Sequence, residues 1–188
     1  DMMAEVAATL AFSTIANNDK VGVIFFSDKI EKFIPAKKGK THVLRIIREL
    51  LSFEPTSSGT DLAQALQYFA NAQKRHCTAF LISDFIGVNA FEQPLMIASN
   101  RHDMNIIQIY DWREKELPNI GLVQFHDAET GQDIWVDTSL RSIRRQYTEA
   151  WERNQYVVEQ IFTRTGVRKV SVRTDEDYVK ALMHLFRK

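Results

Sequence analysis

Residues 78–84 read Thr-Ala-Phe-Leu-Ile-Ser-Asp, an apolar run that closes on a hydroxyl and a carboxylate. A run without polar alternation is the pattern of a strand covered on both faces, as in a parallel sheet lying between helices. Two further stretches share it: Val21-Gly-Val-Ile-Phe-Phe26 upstream, and Asn105-Ile-Ile-Gln-Ile-Tyr110 downstream, followed by Asp111. Between and before them lie apolar residues at three- and four-residue steps. Met3, Val6, Ala7, Leu10 and Ala11 form one such stripe, and Val43, Ile46, Ile47, Leu50 and Leu51 form a second. Leu62, Ala65, Leu66 and Phe69 form a third, behind Asp61 as the helix cap, and Phe91–Ser99 is a short helix with Pro94 in its first turn. Helices alternating with two-sided strands predict an α/β fold: a Rossmann-like, open, mostly parallel sheet with helices on both faces.

The alternation is broken in two places. Ile30–Ile34 reads as a short strand folding back on Val21–Phe26 through the Asp28-Lys29 turn, and stopped by Pro35. Gly121–Phe125 and Gln132–Val136, around Thr130-Gly131, read as an antiparallel hairpin, which makes residues 117–138 an insertion. A long helix from Ser139 to Thr165 follows, expected to span about 40 Å. Its predicted inward residues are Leu140, Ile143, Tyr147, Trp151, Val157, Val158, Ile161 and Phe162, and Gly166 is its C-cap. A last strand at Lys169–Val172 precedes a closing helix that begins at Thr174-Asp175 and turns Tyr178, Val179, Leu182, Met183 and Phe186 inward. Residues 1–188 are read as one domain.

The composition narrows the function classes. The chain has 188 residues, 45% of them hydrophobic, and 24 basic side chains against 24 acidic ones. A domain of this size builds a core without staples. Balanced charge removes the default attraction to nucleic acid or anionic lipid. A lone cysteine, Cys77, excludes a disulfide framework and suits a reducing, cytoplasmic compartment. No apolar run approaches the ~20 residues of a membrane helix, so no membrane insertion is expected in this segment. The chain opens on Asp1-Met2-Met3, already inside a helical pattern, and is expected to be a piece of a longer protein.

In open α/β sheets the ligand site lies beyond the carboxyl ends of the strands. Asp28, the loop Ser57–Thr60, Asp84 and Asp111 all fall there. Thr56-Ser-Ser-Gly-Thr60 is either a plain capped loop or a cradle for an anion; it lacks the lysine and glycine spacing of a phosphate loop. Asp84 is the best-placed ligand for a hard cation, although a lone Asp at a strand end is more often a turn or cap residue. Asp28 reads as a turn residue, and Asp111 as a surface partner of Arg113. His42, His76, His102, His126 and His184 lack metal-ligand spacing and read as surface or boundary residues; Cys77 reads as a core thiol. The basic clusters Lys37-Lys38-Gly39-Lys40, with Arg45 and Arg48, and Arg141, Arg144 and Arg145 read as solvated faces or protein-docking surfaces. No nucleophile elbow or other catalytic group assembles. The residues leave two readings: an interaction module without enzymatic activity, or a metal-dependent phosphoesterase or nuclease using Asp28, Asp84 and Asp111.

The order of helix, strand pair, helix, hydroxyl loop with Gly59-Thr60, helix, and strand ending in Ser83-Asp84 resembles a von Willebrand factor A-type domain. The stretches EVAATLAFSTIANNDKVGVIFFSD (5–28), IRELLSFEPTSSGTDLAQAL (47–66), AFLISDF (79–85) and GLVQFHDAETGQDIWVDT (121–138) look like the bacterial domain-of-unknown-function family fifty-eight. Proteins of that family are commonly encoded beside MoxR-type AAA+ ATPases. The resemblance covers nearly the whole chain. It implies a metal-ion-dependent adhesion site for Mg²⁺ (or Mn²⁺ or Ca²⁺), with Thr60 and Asp84 as metal ligands, and protein partners that include a MoxR-type ATPase. The family pattern places an Asp-x-Ser-x-Ser segment after a central strand ahead of the helix at Met3–Ala16, and this chain lacks it. A lookalike, Asp137-Thr-Ser-Leu-Arg141, reads better as the N-cap of the long helix. The chain is therefore expected to carry two of five ligands, to bind no metal by itself, and to self-associate through open sheet edges.

Overall fold

A computed structural model describes residues 2–57, 59–88, 90–126 and 133–186. The elements in chain order are α1 (Met2–Ala16), β1 (Val21–Phe26), β2 (Ile30–Lys37), α2 (Lys40–Ser52), α3 (Leu62–Ala72), β3 (Thr78–Ser83) and α4 (Glu92–Arg101). They continue with β4 (Asp103–Tyr110), α5 (Trp112–Lys115), β5 (Leu122–His126), β6 (Asp133–Asp137), α6 (Arg141–Thr165), β7 (Arg168–Arg173) and α7 (Tyr178–Phe186). The three strands read as two-sided, and the alternating helices, are all present.

Two adjacent isoleucines in β4 show why that strand carries no polar alternation. Ile106 and Ile107 are both fully buried, yet they face opposite sides of the sheet. β4 is the middle strand of a parallel sheet ordered β3-β4-β7, with Thr78 opposite Asp103 and Asn105 opposite Arg168. On one face, Ile106, Met104 and Leu81 pack with Leu62 and Leu66 of α3, Leu95 and Ala98 of α4, and Val158, Ile161 and Phe162 of α6. On the other face, Ile107, Ile109 and Val172 pack with Val6 of α1 and Leu182 and Leu185 of α7. Helices thus cover both faces, as the sequence pattern requires.

β1 and β2 form a separate antiparallel pair, covered by α1 and α2 through Ala11, Phe25, Ile34, Val43 and Ile46. α1 joins the two sheets, because Val6 packs on the parallel sheet and Ala11 on the β1–β2 pair. From the opposite side, Phe26 at the end of β1 packs against the cluster that holds Leu62 and Leu81. Among the described residues the parallel sheet therefore has three strands. β1 and β3 each have a strand partner on one side only among the described residues.

Several sequence expectations are corrected. Pro35 does not end β2, which runs on to Lys37; the pairing jumps from Val23–Ile34 to Val21–Lys37, so proline sits in an irregular stretch of a strand with one neighbour. The same irregularity brings backbone close to Gly22, where an added Cβ would lie 2.7 Å from the Ile34 carbonyl oxygen and 2.8 Å from the Ala36 nitrogen. α6 buries only Val158, Ile161 and Phe162, all in its C-terminal half; Leu140 is exposed because it lies far from that half, and Val157 because it stands about 100° around the helix from Val158, at the margin of the buried stripe. Val179 and Met183 of α7 are exposed; Leu182 faces inward as expected, joined by Leu185. Asp137 does not cap α6. Leu140 holds the N-cap position, while Asp137 accepts the Ser139 N–H and hydroxyl, and Thr138 closes the hairpin base by donating to the Gly121 carbonyl. Gly166 ends α6 with φ 67°, in the left-handed region expected of a glycine cap. The Thr130-Gly131 turn lies outside the described residues.

Candidate functional site

Asp84 follows the last residue of β3, and the chain turns sharply behind it. Ser83 Oγ accepts the Phe85 N–H at 3.1 Å, and Asp84 Oδ1 accepts the Ile86 N–H at 3.1 Å. Phe85 adopts φ 59°, a region that bulky L-residues avoid. Its fully buried ring meets Phe162 edge-on at 5.1 Å, and Asn154 Nδ2 donates to its carbonyl at 2.9 Å. Core packing therefore holds a strained turn whose outcome is the placement of Asp84. Gln108, buried in β4, donates to the Asp84 carbonyl at 3.3 Å and to Gln155 Oε1 at 2.8 Å, and accepts from Ser171 Oγ at 3.3 Å. This polar ladder crosses β3, β4, β7 and α6 at one level.

Two more carboxylates border the same rim. Asp111, after β4, accepts the Arg113 N–H at 2.8 Å and the Thr174 hydroxyl at 2.9 Å. Those two bonds, the backbone one first, hold its carboxyl below the usual carboxylate range. Asp111 thus caps α5 and ties it to the end of β7, and the charge of Arg113, the partner the sequence offered as one alternative, adds to the lowering. Glu114 on α5 is shifted the other way. Burial raises its pKa, and the charges of Asp84 and Asp111 add to the rise. Its Oε2 has no hydrogen-bond partner. Tyr147 faces it from α6, its pKa raised by burial and by the Glu114 charge.

The hydroxyl loop is organised around the β1–β2 turn. Asp61 N–H donates to the Ser27 carbonyl at 2.9 Å, and Asp61 caps α3 by accepting the Gln64 N–H at 2.8 Å. Glu31 accepts from the Ser27 hydroxyl at 2.7 Å and from both the N–H and the hydroxyl of Thr56. These bonds, Ser27 first, hold its carboxyl below the ordinary value. Gly59 lies so close that a Cβ there would come within 3.3 Å of the Asp28 Cβ. Thr60, the next residue, is exposed.

Of the residues singled out from sequence, Asp28 of the β1–β2 turn thus lies against Gly59, the neighbour of Thr60 in the α2–α3 loop, while Asp84 and Asp111 share the rim of β3 and β4 with Glu114. The two groups are linked through core: Leu62, two residues after Thr60, packs in the same cluster as Phe85, the residue after Asp84. Among the described residues, no three His, Cys, Asp or Glu side chains are placed together to hold a metal ion. Thr60 and Asp84 offer one hydroxyl and one carboxylate, and one oxygen of the latter is engaged by Ile86. Mg²⁺ demands six oxygens and gives up water reluctantly, so these two residues do not by themselves make up its site. Sequence reasoning missed Glu114, Gln155 and Gln108. Only Gln108 carried a signal, as a polar residue inside an apolar strand.

The family pattern described as "Protein of unknown function DUF58" matches residues 1–157. The chain belongs to this family. The uncharacterized protein Rv1480 from Mycobacterium tuberculosis is 27% identical over 183 residues, which cover 95% of this chain and 57% of the relative. An uncharacterized protein from Mycobacterium avium is 28% identical over 158 residues, 82% of this chain and 92% of its own length. The chain thus spans little more than half the length of the tuberculosis relative. The fold is similar to that of the conserved hypothetical protein BatB from Bacteroides thetaiotaomicron, with a TM-score of 0.58 and 15% identity over 97% of this chain and 84% of that one. It is equally similar to an aerotolerance-related membrane protein from Bacteroides fragilis, with a TM-score of 0.58 and 17% identity, covering 96% and 86% of the two chains. At such identities the likeness concerns the fold alone. No helix among the described residues is long and apolar enough to cross a membrane.

Proposed function

We propose that this DUF58 chain is part of a von Willebrand factor A-type protein–protein interaction module, non-enzymatic and cytoplasmic, that works with a MoxR-type AAA+ ATPase. The observation that carries the reading is the placement of Asp84. It sits at the carboxyl end of an edge strand, on a turn held against backbone strain, and Phe85 behind it packs in the same cluster as Leu62, which follows Thr60 of the α2–α3 loop by two residues. A turn of that kind is kept where the side chain it aims has a use. In the longer protein Thr60 and Asp84 contribute two ligands to an adhesion-type site for Mg²⁺, Mn²⁺ or Ca²⁺, and residues outside this span complete it. The ATPase partner is supported by the sequence resemblance alone. The rival phosphoesterase or nuclease needs Asp28, Asp84 and Asp111 to converge, and these carboxylates are engaged with different neighbours.

The test uses the full-length protein and the purified ATPase in a titration calorimeter, with Mg²⁺ or with chelator. Thr60→Ala and Asp84→Ala are each expected to weaken the complex about tenfold or more, and chelator to do the same. Failure to form a complex, or a complex indifferent to both substitutions and to chelator, overturns the proposal. The open edges of β1 and β3 are the surfaces for self-association. Light scattering that shows a monomer at every concentration removes that part of the reading.

A further inference from the structure

The net balance of charge hides a local excess. Residues 37–48 carry five cationic side chains, Lys37, Lys38, Lys40, Arg45 and Arg48, and no acidic one. All five are exposed. Val21 pairs with Lys37, and His42 Nε2 lies 2.9 Å from the Val21 carbonyl oxygen. The end of β2 and the first turn of α2 therefore meet at the start of β1, where exposed Lys20 also stands. Glu49, the one acidic residue of α2, is paired with Lys32 of β2. Among the described residues, none of the other six cations is held in a salt bridge.

The same surface carries large apolar side chains that the core leaves out. Lys40, Leu44, Arg48 and Leu51 fall at four-, four- and three-residue steps, one exposed stripe along α2 beside the buried Val43 and Ile46. Leu44 is 45% exposed and Leu51 69%. α1 packs against α2 over the same β1–β2 pair, and its Phe12, about one turn from the helix end, is 57% exposed. We propose that the outer surface of α1 and α2 docks on an anionic lipid bilayer. The lysines and arginines meet the headgroup phosphates, and Phe12, Leu44 and Leu51 enter the interfacial layer.

Charge and apolar side chains together select this partner. Lysines and arginines clustered on an amphipathic helix are drawn to anionic membranes, each cation strengthening binding about fivefold. Leucines set between those cations add apolar burial, which a merely solvated face does not need. Glu5 on α1 and Asp19 behind it are the exposed acids nearby in sequence, too few to cancel six cations. A nucleic acid would attract the same cations, but it would press Leu44 and Leu51 against phosphates. Residues 37–48 also hold no aromatic ring to stack on a base. Lys20, Lys37 and Lys40 gather at the start of β1, whereas the loop before Asp61 bonds to Ser27 at its other end. The inference therefore does not rest on the proposed adhesion function.

Co-sedimentation of the full chain with lipid vesicles is the direct test. Phosphatidylcholine vesicles with about one-third phosphatidylglycerol are expected to bind it at low salt and to release it as ionic strength rises. Phosphatidylcholine alone should bind it about tenfold more weakly or less. Lys37→Gln, Lys38→Gln and Lys40→Gln together should weaken binding to the anionic vesicles about a hundredfold. Leu44→Ser with Leu51→Ser, which keeps every charge, should weaken it about tenfold. All five positions are exposed, and circular dichroism checks that both variants keep the fold. Arg141→Gln, in the basic cluster at the start of α6, should leave binding unchanged. No preference for phosphatidylglycerol, or an affinity indifferent to the lysine or to the leucine substitutions, overturns the proposal. So does an equal loss in Arg141→Gln, or tighter binding to a short DNA duplex or to poly-glutamate than to the anionic vesicles.

Discussion

Phe85 and Glu114 show how single residues set the properties of the strand-end rim. A positive φ at a bulky residue costs about 1–3 kcal/mol, and at Phe85 the ring packing and the Asn154 amide offset it. Asn154→Ala leaves the Phe85 carbonyl without its donor and should destabilise the protein by about 1–3 kcal/mol in urea unfolding. Glu114 tests the electrostatics. Because its pKa is raised in the fold, its contribution to stability is full below the unfolded value and is lost as pH rises through the folded one. Glu114→Gln should therefore match the wild type in Tm near pH 4 and exceed it near pH 8, a difference that thermal melts at the two values measure directly. A variant equally stable or less stable near pH 8 would mean that Glu114 is not strained by its charge.

At the scale of elements, the irregular β1–β2 pairing and α6 make separate predictions. Gly22→Ala sets a methyl against the backbone of Ile34 and Ala36, which cannot yield as a side-chain tip would; a loss of about 1–3 kcal/mol is expected. α6 contributes its fully buried side chains only through its C-terminal half, while its first half rests on α5 through Tyr147, Thr148 and Trp151. Phe162→Ala, which empties the centre of a ring cluster with Phe85 and Phe91, should cost about 3–5 kcal/mol. Val157→Ala, on the exposed face of the same helix, should change stability by less than about 0.5 kcal/mol. Urea denaturation of the two variants checks the contrast. Helical spacing alone gave both residues the same inward role, because periodicity marks a stripe but not how wide a face the core covers.

For the whole molecule, burial follows strand position. β4 is covered on both faces and paired on both edges, whereas β3 and β1 each have one partner among the described residues. In native-state hydrogen exchange, the amides of Ile106 and Ile107 should open only with global unfolding. Those of the β5–β6 pair should exchange fastest, since a two-stranded unit with exposed Ile134 and Trp135 has little to hold it. Equal protection in β4 and β5–β6 would contradict this hierarchy.

The alternation of apolar runs with helical stripes determined the α/β class, the pairing of β3 and β4 in a parallel sheet and the covering of both its faces, because burial on two sides leaves a composition that can be read one residue at a time. The capping of α3 by Asp61 and the glycine end of α6 were legible for the same reason: they depend on neighbours a few positions away. Tertiary structure alone decided that β1 stands apart from β3 and that α6 is half exposed. It alone placed Glu114 beside Asp84 and Asp111, and buried His102 against Cys77. Each of these joins residues far apart in the chain, and the free energy of such a contact depends on what else fills the space around it, which no local pattern encodes.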